Sequence, residues 1–173
     1  MILLAHSGMG HGWGGPIEPW EFHPMLVHFP LAFLLGGVVL GLYAGWRGRQ
    51  ALEQVATGLL VAGVLSGVVA ALTGLLALYT IPESHTEAAH GLMYWHLGLQ
   101  LASLLLFAVA AWLRWRAWQS PPSLVARAAG WVAAVVLVVG SGVGGYLVYH
   151  GGAGIESDLM KPGLHEGQHG NGP

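Results

Sequence analysis

Four long apolar runs, at 25–46, 52–79, 92–112 and 124–149, dominate the chain; none contains Lys or Asp, and their few Arg and Glu fall at the ends. A bilayer's hydrocarbon core, about 30 Å thick, takes about 20 helical residues to cross, so each run predicts a membrane-spanning helix. The runs lack period-two alternation, and each exceeds the roughly ten residues of a barrel strand. The pattern therefore predicts an all-α, integral membrane four-helix bundle over residues 23–150. An extracytoplasmic N-tail (1–22) precedes it and a glycine- and histidine-rich C-tail (151–173) follows.

Composition sharpens this reading. With 54% hydrophobic and 8% charged residues, the chain cannot cover itself with polar surface, so its first partner is the lipid bilayer. The absence of Cys excludes disulfides, thiolate metal sites and iron–sulfur clusters, leaving haem b, copper, zinc held by His, or no cofactor. A net charge of −2 gives no footprint for nucleic acid. Residues 1–20 hold no Lys or Arg, so no cleaved signal is expected. No Ser/His/Asp arrangement, phosphate loop or intramembrane carboxylate pair is apparent, which favours an electron-transfer or accessory subunit over a stand-alone enzyme.

If the spans cross in turn, Arg47, Arg49, Arg114, Arg116 and Arg127 lie on one side and Lys161 on the other. The positive-inside rule then places the two short turns in the cytoplasm and both termini outside a bacterial inner membrane. Aromatic positions agree: Trp46, Trp112, Trp115 and Trp118 suit a cytoplasmic belt, and Trp20, Tyr79, Tyr94, Trp95, Tyr146 and Tyr149 an outer one. Small residues line single faces of span two (Gly63, Gly67, Ala70, Gly74) and span four (Gly130, Ala134, Ser141, Gly145), as close helix packing requires; a flat macrocycle against one of them is the alternative. Shifting the chain by 68 positions superposes His28 on His96, Leu31 on Leu99, Thr73 on Ser141 and Gly74 on Gly142, suggesting two parallel helix-pair repeats.

The ten histidines avoid the middles of the spans and the cytoplasmic turns. His23, His28, His85, His90, His96 and His150 fall at or just inside outer helix ends; His6, His11, His165 and His169 are in the tails. Pro24 suits a first helical turn, where its missing N–H costs nothing, and Pro30 is expected to bend the helix. Ser84 and Glu87 have capping-box spacing, His96 lies about three turns into span three, and Gln100 lies one turn deeper on the same face. Two neutral imidazoles on facing helices at equal depth would satisfy a haem iron; His28 and His96 are the expected axial pair, with His23, His90 and His150 as further cofactor-binding candidates. Trp20, Tyr94, His23, His90 or water would then meet the propionates, there being no outer-side Arg. Interfacial or capping histidines without a cofactor remain the alternative. The tail residues His6, Met9, His11, His165 and His169 would suit weak copper capture.

The segments His23-Pro24-Met25-Leu26-Val27-His28-Phe29-Pro30-Leu31-Ala32, Ala71-Leu72-Thr73-Gly74, His96 with Gln100, and Gly144-Gly145-Tyr146-Leu147-Val148-Tyr149-His150-Gly151-Gly152 together resemble a bacterial membrane family, domain of unknown function 2231. The resemblance covers roughly residues 23–155 and implies four helices, with a proposed association with haem or respiratory electron transfer. It carries over to His23, His28 and His96. In the last motif His150 stands where the family often has a basic residue, and Gly151 where it has His.

The functional expectation is a b-type cytochrome-like subunit with haem near the outer face, serving other membrane subunits or an extracytoplasmic electron carrier. A cofactor-free structural subunit, or an outward-facing copper or zinc handling protein, stays open beside it.

Overall fold

The computed structural model describes Ile17 and residues 19–80 and 87–151. The described residues hold a 3-10 turn at Pro19–Glu21, then helices α1 (Phe22–Leu26), α2 (His28–Arg47), α3 (Gln50–Thr80), α4 (Glu87–Arg116) and α5 (Leu124–Gly151), and no strand. Helices α1 and α2 form one apolar segment, so four segments are long and apolar enough to cross a membrane. The architecture is an all-α membrane bundle of four helices.

Local sequence explains where the helices break and end. Pro30 has no N–H to offer Leu26, the carbonyl four residues back, and the first segment is interrupted at Val27. Val27 keeps helical dihedrals (φ −62°, ψ −21°), and bonding continues on either side through Val27 N–H to the His23 carbonyl and Leu31 N–H to the Val27 carbonyl. Helix α2 ends at Gly48, whose left-handed φ of 61° would strain any other residue. Ser123 caps α5 by accepting the Ala126 N–H at 3.2 Å. Gln50 and Gln54 donate to the Trp118 carbonyl, and Gln50 also to that of Ser120, tying the start of α3 to the α4–α5 turn.

Helix α4 runs from Glu87 to Arg116, longer at both ends than the apolar run at 92–112, because helical hydrogen bonding continues where side chains turn polar. The expected cap at Ser84 lies outside the described residues.

Helix α2 packs along α3, and α4 along α5, giving two hairpins. Their buried positions correspond. Pro30, Leu34, Gly37, Val38 and Gly41 on α2 match Ser103, Phe107, Ala110, Ala111 and Arg114 on α4 at an offset of 73 positions (30 to 103). On the second helices, Ala56, Leu60, Gly63, Gly67 and Ala70 match Ala126, Gly130, Ala133, Leu137 and Gly140 at an offset of 70 (56 to 126). The two-hairpin repeat is therefore visible in the burial pattern, but not in the expected register of 68, which paired His28 with His96.

The core is small and apolar, formed by Leu34, Val38, Leu60, Phe107, Ala111, Ala133, Ala134 and Leu137. A lesser cluster of Ala89, Met93 and Leu147 closes the His-bearing end. The outside is as apolar as the inside: Leu65, Leu72, Leu105 and Val135 are all more than 60% exposed, whereas Glu53, Thr57, Ser103 and Arg114 are buried. Such an inverted distribution suits lipid as solvent. Trp46, Trp112 and Trp115 at one end, and Tyr79, Tyr94, Trp95, Tyr146 and Tyr149 at the other, are exposed as aromatic belts require.

Candidate functional site

The first candidate site stands at the open ends of the two hairpins, away from the arginines. His23, on α1, has its Nδ1 3.0 Å from the Ala70 carbonyl of α3. His96, on α4, has its Nδ1 2.8 Å from the Gly140 carbonyl of α5. A carbonyl can only accept, so each neutral ring carries its hydrogen on Nδ1 and keeps the Nε2 lone pair. Among the described residues neither Nε2 has a hydrogen-bond partner. The ring centroids lie 6.3 Å apart with planes at 80°.

Both rings nest on a glycine of the helix that tethers them. A Cβ at Gly74 would come within 2.8 Å of His23 Cε1, and one at Gly144 within 2.6 Å of His96 Cε1. Bond and cradle thus recur together: His23 with Ala70 and Gly74, His96 with Gly140 and Gly144. Gln100, one turn deeper, donates to Ser141 Oγ at 3.3 Å and rests on Gly140, completing the α4–α5 contact beneath His96.

The remaining histidines are not drawn into this pair. His28 is exposed, as is neighbouring Phe29, on the outer surface of the first segment. The facing pair is therefore His23 with His96, not the expected His28 with His96. One position of slip turns a helical residue by about 100°, so the five from 23 to 28 carry it to a different face. His90 is exposed and engaged in an interaction of its own. His150 is exposed and stacks on Tyr146 with centroids 4.4 Å apart and planes at 9°. His6, Met9, His11, His85, His165 and His169 lie outside the described residues. The small-residue faces receive side chains: Leu34 fills Gly63, Leu104 fills Gly67 and His23 fills Gly74, while Gly145 is open.

A second polar centre, at the arginine end, was missed by sequence reasoning. Glu53 is buried on α3 and takes Arg114 Nη2 on Oε2 at 2.6 Å and Arg127 Nη2 on Oε1 at 2.5 Å. Arg114 Nε donates to Thr57 Oγ1, and Arg127 Nη1 to the Gly41 carbonyl, so all four segments are joined. Gly41 and Gly45 on α2 make room for the guanidinium groups, which a Cβ at either would crowd. Arg114 and Arg127 thus serve inside the bundle, whereas Arg47 and Arg116 lie over Trp46 and Trp112. The available signal was Glu53 itself, the lone acidic residue between Glu21 and Glu83, at the head of an apolar run.

Searches of curated proteins and of solved structures returned no match. A family model described as "Predicted membrane protein (DUF2231)" matches residues 19–157, which takes in both hairpins, both tethered histidines and the arginine cluster. The chain belongs to the DUF2231 family of membrane proteins.

Proposed function

We propose that this chain is a b-type cytochrome-like membrane subunit that holds one haem between His23 and His96 and passes single electrons between a membrane partner and an extracytoplasmic carrier. The observation that carries the reading is the pair of Nδ1-tethered imidazoles, one from each hairpin, with Nε2 lone pairs uncommitted and centroids 6.3 Å apart. A metal–imidazole bond is about 2.0 Å long, so two rings ligating one atom from opposite sides have centroids roughly 6 Å apart. An Nδ1–H held by a backbone carbonyl is also how ligating histidines are usually oriented.

The donor set favours haem over a bare ion. Among the described residues no group of three or more His, Cys, Asp or Glu could hold a metal, whereas zinc wants three or four protein ligands. Two imidazoles suffice for an iron whose other four ligands come with a macrocycle. Bound there, haem would supply a one-electron centre. The chain's own part is to fix the rings: the Ala70 and Gly140 carbonyls set the tautomer, Gly74 and Gly144 set the depth, and Gln100 ties α4 to α5 below.

The test is a reduced-minus-oxidised visible spectrum, with haem and metal analysis, of protein produced with haem available. Haem b bands at one haem per chain are expected; a featureless spectrum with no stoichiometric metal would leave a cofactor-free structural subunit. One observation favours that second role: Gly91 and Gly98 on α4 and Gly142 and Gly145 on α5 have no neighbour within 4 Å where a Cβ would stand, leaving faces open to a partner helix.

In the proposed orientation, within a bacterial inner membrane, the arginine end is cytoplasmic and the histidine end outside. Because the chain has no native Cys, single cysteines report this cleanly. A membrane-impermeant maleimide applied to intact cells is expected to label Tyr149→Cys and spare Arg49→Cys; the reverse pattern would invert the assignment.

A further inference from the structure

The arginine centre opens sideways. Between α2 and α5 lies a cleft lined by Val38, Gly41, Leu42, Arg114, Arg127 and Trp131. Its polar wall is made by the two guanidinium groups that share Glu53, and Arg127 is the more accessible of them, with 27% of its side chain exposed against 5% for Arg114. Its other side is apolar: Leu42 and Trp131 are 53% and 44% exposed, and Val135, one turn beyond Trp131, is 61% exposed.

Charge does not close within this cluster. Two guanidinium groups meet one carboxylate, and the sequence holds no other Asp or Glu between residues 22 and 82 or between 88 and 155. One positive charge is left over, and its accessible share is on Arg127, where an anion reaching the cleft would compensate it. Arginine's planar fork suits phosphate oxygens, and the cleft's apolar side suits an acyl chain. Exposed Trp46, Trp112 and Trp115 mark this end of the bundle as headgroup depth.

We propose that the α2–α5 cleft is a binding site for the phosphodiester of an anionic phospholipid, which meets Arg127 and Arg114 while its chain lies along Leu42, Trp131 and Val135. The site does not depend on the histidine pair, nor on which side of the membrane the arginine end faces.

Native mass spectrometry of the full chain in detergent, with phosphatidylglycerol and phosphatidylcholine in competition, tests it. One phosphatidylglycerol per chain is expected to be retained in preference to phosphatidylcholine, and inorganic phosphate is expected not to displace it. Arg127→Gln removes a charge-assisted donor and is expected to weaken retention about tenfold. Because Arg127 also binds Glu53, the deciding variant is Leu42→Trp, which fills the cleft mouth without touching the network and is expected to weaken retention comparably. Arg47→Gln, which removes an exposed arginine outside the cleft, is expected to change nothing. Equal retention of the two lipids, displacement by inorganic phosphate, wild-type retention in Leu42→Trp, or an equal loss in Arg47→Gln would each overturn the assignment.

Discussion

Glu53→Gln is expected to lower the stability of the bundle by about 3–5 kcal/mol, the range seen when one partner of a buried ion pair is removed. Glu53 is 4% exposed and, among the described residues, is the only acid shared by Arg114 and Arg127. Its neutral isostere keeps the shape but leaves two positive charges of the second hairpin side by side, with no carboxylate of the first hairpin to meet them. Removing all three charges together, as Glu53→Met with Arg114→Met and Arg127→Met, is expected to recover more than half of that loss, because apolar groups need no partner. The midpoint of unfolding in detergent, followed by tryptophan fluorescence, reads both variants. A Glu53→Gln midpoint equal to wild type would mean that the network contributes nothing to joining the hairpins.

The second large effect is at the other end. Gly144→Ala would set a methyl 2.6 Å from Cε1 and 2.9 Å from Nδ1 of His96, closer than packed atoms approach. The ring is held by the Gly140 carbonyl at 2.8 Å, so it can give way only by losing that bond. Overpacking of this kind costs about 1–3 kcal/mol. Haem held by His96 would be lost with that bond. Gly142→Ala, two positions away, meets nothing within 4 Å and is expected to stay within about 0.5 kcal/mol of wild type. Unfolding midpoints and haem content of the two variants make the comparison; equal behaviour would show that Gly144 is not a cradle.

The four spans were legible in the sequence because lipid imposes a length and a composition on any helix that crosses it, and each of the four observed segments contains one of the four apolar runs. The gathering of histidines at one end was legible for a related reason, since the cost of polar groups keeps them from mid-membrane. Which histidines meet was not. His23 precedes the first apolar run and reads as an interfacial residue, yet α1 begins at Phe22 and brings it onto α3. A single shift of 68 could not find the repeat, because equivalent positions are offset by 73 on the first helices (23 to 96) and by 70 on the second (74 to 144). Corresponding positions are three residues closer in the second hairpin (96 to 144 against 23 to 74), although its turn is longer, so one shift cannot align both of its helices. The Glu53 cluster depends on partners 61 and 74 positions away and on glycines opposite them, information that exists only once the hairpins are packed.

Spectra of three single variants test the central claim most directly: His23→Ala, His96→Ala and His28→Ala, each purified from cells supplied with haem and compared with wild type by reduced-minus-oxidised difference. Loss of the haem b bands in His23→Ala and His96→Ala, with the bands retained in His28→Ala, is the expected result. Bands that survive His23→Ala but disappear in His28→Ala, or a wild-type protein with no bands at all, would contradict it.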